Sequence, residues 1–119
     1  MKGIITPDQS IEFDKYIVKW QNALNLNCWR IVREAKASKN MAEVVVNLPS
    51  RMAMYRLGSN FGSEPVTHYS LESTACHELL HVLLSEYRAA VASEQSDEII
   101  QATEHRIVHT LENLLVPKP

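Results

Sequence analysis

Residues 70–84 read SLESTACHELLHVLL, and this stretch decides the fold because apolar side chains occur on nearly every face of the helix it predicts. A helix at a protein surface has one apolar stripe, whereas a helix that is apolar all round is buried. The predicted helix begins at Ser70 and continues to about Ala92. We therefore expect a buried central helix against which the other elements pack.

Five further segments carry local structural signals. Residues 7–24 begin with a helix-start pattern and continue with apolar residues at helical spacing. Residues 28–34 and 41–48 are rich in β-branched and aromatic residues and predict a hairpin, and Met52–Leu57 predicts a third strand. A closing helix is expected over Asp97–Leu115. This order predicts an α+β fold with a small, mainly antiparallel three-stranded sheet.

Composition narrows the class of protein. At 119 residues without a repeat or linker, the chain is expected to form one domain, residues 1–119. The net charge is -2 and no basic face is evident, which argues against nucleic-acid binding. No apolar run resembles a signal peptide or a membrane span, so we expect a cytoplasmic protein that does not bind membranes. In that reducing compartment Cys28 and Cys76 are expected to be free thiols.

His77-Glu78-Leu79-Leu80-His81 matches the pattern H-E-x-x-H within the buried helix. Residues four apart on a helix are rotated by only about 40° and separated by about 6 Å along the axis, so both imidazoles can reach one ion. Imidazole is a preferred ligand of zinc, and a catalytic zinc site keeps one coordination position for water. The motif predicts one Zn²⁺ per chain, bound by His77 and His81.

Glu78 is the predicted catalytic base. It lies about 100° around the helix from His77, near the edge of the ligand face. A carboxylate there can take a proton from the water that attacks the peptide carbonyl and pass it to the departing amine. The expected reaction is peptide-bond hydrolysis by Glu-assisted attack of a zinc-bound water.

The third metal ligand is expected from the closing helix. Glu104 lies near the centre of an apolar stripe there, and a buried carboxylate needs a positively charged or hydrogen-bonding partner. Donation to zinc would complete a His₂Glu site of the catalytic type. His105 is the alternative. It could be the third ligand, or it could contact a ligand without binding the metal itself. His109 is expected to be an ordinary surface histidine.

The chain resembles the gluzincin branch of metallopeptidases, and more narrowly the short zincin-like proteins encoded in bacteriophages and prophages. The likeness spans most of the chain and rests on its small size, Trp29 in the first strand, Ala42-Glu43-Val44, residues 75–81, Glu104-His105 and Leu111-Glu112. The resemblance implies a minimal zincin-like fold with His77, His81 and Glu104 as zinc ligands and Glu78 as base.

One position departs from that branch. Gluzincins often carry an Asp four residues after the ligand Glu, where it holds a metal-binding histidine, but Val108 occupies this position here. Metal-binding histidines generally need such an acceptor on their second nitrogen. Another residue must therefore supply it.

The sequence favours a zinc metallopeptidase acting on a protein or peptide substrate. The alternative is a catalytically silent, zinc-stabilised protein-interaction module, although a structural zinc is more often closed by four protein ligands. We expect an extended substrate to lie beside residues 51–57 as an edge strand. The oligomeric state is not predicted. The residue that would donate a hydrogen bond to the oxyanion is left open among five candidates: His68, Tyr69, Tyr87, Arg88 and His105.

Overall fold

The computed structural model describes residues 3–91 and 97–119, without the side chains of residues 86 and 90. Within these residues, four helices and three strands follow one another in an α+β arrangement, which confirms the predicted fold class. Their bounds are α1 Pro7–Ala23, β1 Arg30–Arg33, β2 Ala42–Asn47, β3 Met52–Leu57, α2 His68–Leu83, α3 Ser85–Val91 and α4 Asp97–Leu115.

Helix α1 begins with a reciprocal cap. The Thr6 side chain accepts from the Gln9 backbone N–H, and the Gln9 side chain accepts from the Thr6 backbone N–H. Phe13, Ile17 and Trp20 form the buried face, which packs against α2. Ile11, which the sequence also places on the apolar stripe, is exposed to 56%.

The sheet has the order β1-β3-β2, so the predicted hairpin between β1 and β2 is wrong. β3 lies between them, antiparallel to β2 and parallel to β1. Its residues Ala53, Tyr55 and Leu57 are buried in alternation, and a strand with one fully buried face is suited to the centre of a sheet. The sheet is therefore mixed, with one antiparallel pair and one parallel pair.

The expected edge strand is wrong for the same reason. β3 pairs on both sides, whereas β2 pairs only with β3 among the residues that the structure describes. β2 packs against α2. The strand edge available near the H-E-x-x-H helix is thus Ala42–Asn47.

Helix α2 is buried as expected but ends earlier. It begins at His68, with Thr67 and Ser70 forming a reciprocal cap, and ends at Leu83 instead of continuing to about Ala92. The Ser85 hydroxyl donates to the Val82 carbonyl at 2.7 Å, a local bond that competes with helix continuation. The separate helix α3 follows, and Ala92 lies outside the described residues.

Helix α4 has the predicted bounds, Asp97–Leu115, and packs against α2. Its buried residues are Ile100, Glu104, Val108 and Glu112, spaced four apart. Two carboxylates therefore lie on the face toward the central helix. Among the described residues, none of the helices combines the length and apolarity needed to cross a membrane.

Candidate metal centre

His77 and His81, here called the α2 histidine pair, lie one turn apart with their Nε2 atoms 3.3 Å from each other. Two nitrogens that each lie about 2.05 Å from a tetrahedral ion are separated by about 3.3 Å. The side chains are exposed to 15% and 23%, so the pair is shielded but reachable. The separation of the two nitrogens is therefore compatible with binding of one Zn²⁺.

A carboxylate from α4 contacts the second nitrogen of each ring. Nδ1 of His77 lies 2.6 Å from Oε1 of Glu112, and Nδ1 of His81 lies 2.7 Å from Oε2 of Glu104. A proton on Nδ1 can donate to each carboxylate, which leaves the Nε2 lone pair for a metal. Glu112 thus supplies the acceptor that the sequence lacks at Val108.

These contacts shift the titration of the groups involved. Burial acts to lower the pKa of His77, but its hydrogen bond to Glu112 and the nearby negative charges leave that pKa raised. Burial acts to raise the pKa of Glu112, which the bonds from His77 and Ser73 lower instead. Burial dominates at His81 and lowers its pKa despite the bond to Glu104.

Glu104 is buried, as its place in the apolar stripe predicted, with 5% of its surface exposed. Its Oε2 contacts His81 through the ring nitrogen that does not face His77. Its Oε1 is buried and has no hydrogen-bond partner among the described residues. The carboxylate therefore orients His81, with one oxygen left for a further donor or cation.

His105 joins the α2 histidine pair in a group whose ligand atoms all lie within 4.8 Å of one another. Its ring centroid is 5.2 Å from that of His77 and 5.9 Å from that of His81. Glu104 is not part of this group. Three imidazoles around one position form a donor set typical of catalytic zinc.

His109 and Glu112 are site residues that sequence reasoning missed. His109 is half exposed, yet its Nδ1 lies 2.9 Å from Oε1 of Glu112 and its ring contacts those of His77 and His105. The signal that could have found them is periodic. His105 and His109 are four residues apart, and Glu112 continues the spacing of Glu104 and Val108.

Glu78 lies beside the α2 histidine pair and is 8% exposed. Burial raises its pKa to about 7, with His77 acting in the opposite direction. A cation nearby favours the ionised form of a carboxylate. Glu78 lines two adjoining cavities, so its carboxylate is accessible to a bound molecule.

The larger cavity has a volume of about 1070 Å³ and lies between β2 and the helices. Glu43, Val44 and Val46 of β2 line one side, and Glu78 and His81 lie on another. This volume is at the upper end of ligand-binding clefts. The free edge of β2 thus borders a cleft that contains the histidines.

The candidate oxyanion donors differ in whether they line a cavity at the site. Arg88 and His105 line the larger cavity, and Tyr69 lines a neighbouring cavity of about 550 Å³ together with His77 and Glu78. His68 contacts Glu12 of α1, and Tyr87 lines neither cavity. Geometry reduces the candidates to Arg88, His105 and Tyr69.

The arrangement can bind a cation and place a carboxylate beside it. Its nitrogen donors, their carboxylate acceptors and the buried free oxygen of Glu104 suit a divalent metal with a preference for imidazole. Comparison of the chain with known protein families, with characterised proteins and with solved structures gives no match.

Proposed function

We propose that this chain is a zinc-dependent metallopeptidase. The observation that carries the proposal is the 3.3 Å separation of the Nε2 atoms of His77 and His81, each ring held by a carboxylate on Nδ1. Metal-binding histidines almost always donate their second ring N–H to such an acceptor, so this arrangement supports a metal site. Glu78, between them in sequence and beside the same cleft, supports a hydrolytic rather than a structural role for the site.

The third protein ligand in this proposal is His105. It shares a compact group of donor atoms with the α2 histidine pair. Glu104, the ligand that the sequence favours, uses one oxygen for Nδ1 of His81. We assign Glu104 and Glu112 to orienting His81 and His77. This assignment and the sequence-based one differ in which α4 residue controls zinc affinity.

The reaction assigned to the site is hydrolysis of a peptide bond. When bound, Zn²⁺ supplies a Lewis acid that polarises the carbonyl and acidifies a water molecule. Glu78 accepts the proton of the attacking water and returns it to the departing amine. Glu104 and Glu112 hold the imidazole rings so that their Nε2 atoms face the same point.

The substrate is proposed to be a protein or peptide in extended form. A strand that adds to the free edge of β2 would run along the cleft that contains Glu78. The lining residues Val44 and Val46 provide apolar contacts. We further propose a cytoplasmic site of action, which is consistent with the free thiols Cys28 and Cys76.

The proposal is tested by metal analysis and peptide cleavage with the untagged full chain. We expect one zinc per chain, or zinc that can be restored by addition, and cleavage of members of a diverse peptide pool. His77→Ala with His81→Ala should remove both the zinc and the cleavage. His68→Ala removes a histidine outside the site and is the matched control.

Two results would contradict the proposal in different ways. A chain that takes up no zinc would refute the metal site. A chain that binds zinc through His77 and His81 but cleaves no peptide would instead be the zinc-stabilised interaction module, since an ion bound between α2 and α4 would hold the native fold together.

A further inference from the structure

His105 and His109, here called the α4 histidine pair, repeat the geometry of the inner site on the exposed side of α4. They are four residues apart, and their Nε2 atoms lie 2.9 Å from each other. Both residues are exposed. This distance is that of an N–H···N hydrogen bond, and it is also short enough for both nitrogens to bind one ion.

A carboxylate also orients this second pair. Oε1 of Glu112 lies 2.9 Å from Nδ1 of His109. The same oxygen contacts Nδ1 of His77 at 2.6 Å. A proton donated from Nδ1 of His109 leaves its Nε2 lone pair directed at His105. This is the arrangement of an oriented metal ligand, and Glu112, only 7% exposed, is itself fixed by the Ser73 hydroxyl at 2.7 Å.

The Nε2 separation indicates which ions fit the α4 histidine pair. Two nitrogens about 2.05 Å from an ion and about 90° apart are separated by about 2.9 Å. That angle belongs to square-planar or octahedral ions such as Cu²⁺ and Ni²⁺. The α2 histidine pair, at 3.3 Å, fits the tetrahedral angle instead.

The four histidines fall into two overlapping groups of possible metal ligands. Among the described residues, the groups that could hold a metal are His77 with His81 and His105, and His77 with His109 and Glu112. No group contains all four histidines. His105 therefore faces two positions, one beside the α2 histidine pair and one beside His109.

We propose that His105 and His109 form a second divalent-cation site, on the exposed face of α4, for an ion that prefers nitrogen ligands at right angles. This site shares His105 with the proposed zinc site but does not depend on peptidase activity. Because both sites use His105, an ion at the α4 histidine pair competes with ligation of the inner ion.

The test uses Cu²⁺ and a full chain whose inner pair is disabled. His77→Asn with His81→Asn removes both inner Nε2 ligands while an amide N–H can still donate to Glu112 and Glu104. Circular dichroism verifies that this variant is folded. We expect it to bind one Cu²⁺ per chain, with an electron paramagnetic resonance spectrum that shows two equatorial nitrogens.

Adding His109→Ala to that variant should abolish the Cu²⁺ signal, whereas adding His68→Ala, another exposed histidine, should leave it intact. A signal that survives His109→Ala, or a folded double variant that binds no Cu²⁺, would overturn the proposal. Should the double variant fail to fold, the native chain is compared with His109→Ala alone. Cu²⁺ must then displace zinc from the native chain at a lower concentration than from His109→Ala, because it draws His105 away from the inner site, and equal displacement from the two would overturn the proposal.

Discussion

Nδ1 of His77 lies 2.6 Å from Oε1 of Glu112, 35 positions further along the chain. This contact joins the central helix α2 to the closing helix α4 at the ring that carries the first histidine of the H-E-x-x-H motif. The same carboxylate accepts from the Ser73 hydroxyl through its other oxygen. Glu112 is thus held from two sides while it orients His77.

Glu112→Gln should lower zinc affinity by about 10- to 100-fold, the usual loss when the acceptor behind a metal-binding histidine is changed. The amide keeps the size of the side chain but removes its charge. Competition with a chelator of known affinity measures the effect. Glu98→Gln, at an exposed carboxylate of the same helix, is the control, and an equal loss in both variants would contradict the orienting role of Glu112.

His105→Ala and Glu104→Gln should weaken zinc binding to different extents. Removing the direct ligand His105 should lower zinc affinity by more than about 100-fold. Glu104→Gln should lower zinc affinity by about 10- to 100-fold, the range expected for an orienting residue. The same chelator competition ranks them. The reverse order would assign Glu104, the residue that the sequence favours, as the third ligand.

Phe13→Ala should destabilise the fold by about 3–5 kcal/mol because it removes a fully buried aromatic ring and leaves a cavity. Ile11→Ala, on the exposed side of the same helix, should change the free energy of unfolding by less than about 0.5 kcal/mol. Urea unfolding gives both values. Similar losses for the two variants would contradict the orientation of α1.

The contact between His68 and Glu12 should make stability depend on pH. The hydrogen bond to Glu12 raises the pKa of His68 above its usual 6.5. Burial acts to raise the pKa of Glu12, but bonds from His68 and Tyr16 outweigh it and lower that pKa below its usual 4.5.

The direction of the pH dependence of stability follows for each group. The His68 contribution is complete below pH 6.5 and is lost as pH rises through the raised pKa, whereas the Glu12 contribution is present above pH 4.5 and is lost on acidification. The native chain should therefore exceed His68→Gln in stability most between these values. Both groups are near the surface, so the difference should be small. A difference that grows above pH 7 in parallel unfolding curves would contradict this account.

Local signals in the sequence predicted the elements well. The bounds of β3 and α4 are those that periodicity and flanking residues indicate. The order of the sheet was not predictable in the same way, because the parallel pairing of β1 with β3 joins segments separated by β2. α2 ends at Leu83, where the Ser85 hydroxyl donates to the Val82 carbonyl, a local bond that apolar periodicity does not report.

The site, like the fold, was predicted from the sequence only in part. The spacing of His77 and His81 predicted that their rings would meet, and burial predicted that Glu104 needed a partner. The partner in the structure is Nδ1 of His81, a choice that requires the relative rotation of α2 and α4. Glu104 as a zinc ligand stays a prediction. Periodicity places Glu112 on the same face of α4 as Glu104, but its contact with His77 also requires the packing of α4 against α2.

The most direct test of the central claim is cleavage of a diverse peptide pool by the native chain and by Glu78→Gln at equal zinc content. The amide preserves the shape of the side chain but cannot accept the proton of the attacking water. We predict that Glu78→Gln binds zinc and folds like the native chain while its cleavage rate falls by at least about 100-fold. Comparable cleavage rates at equal zinc content would contradict the account.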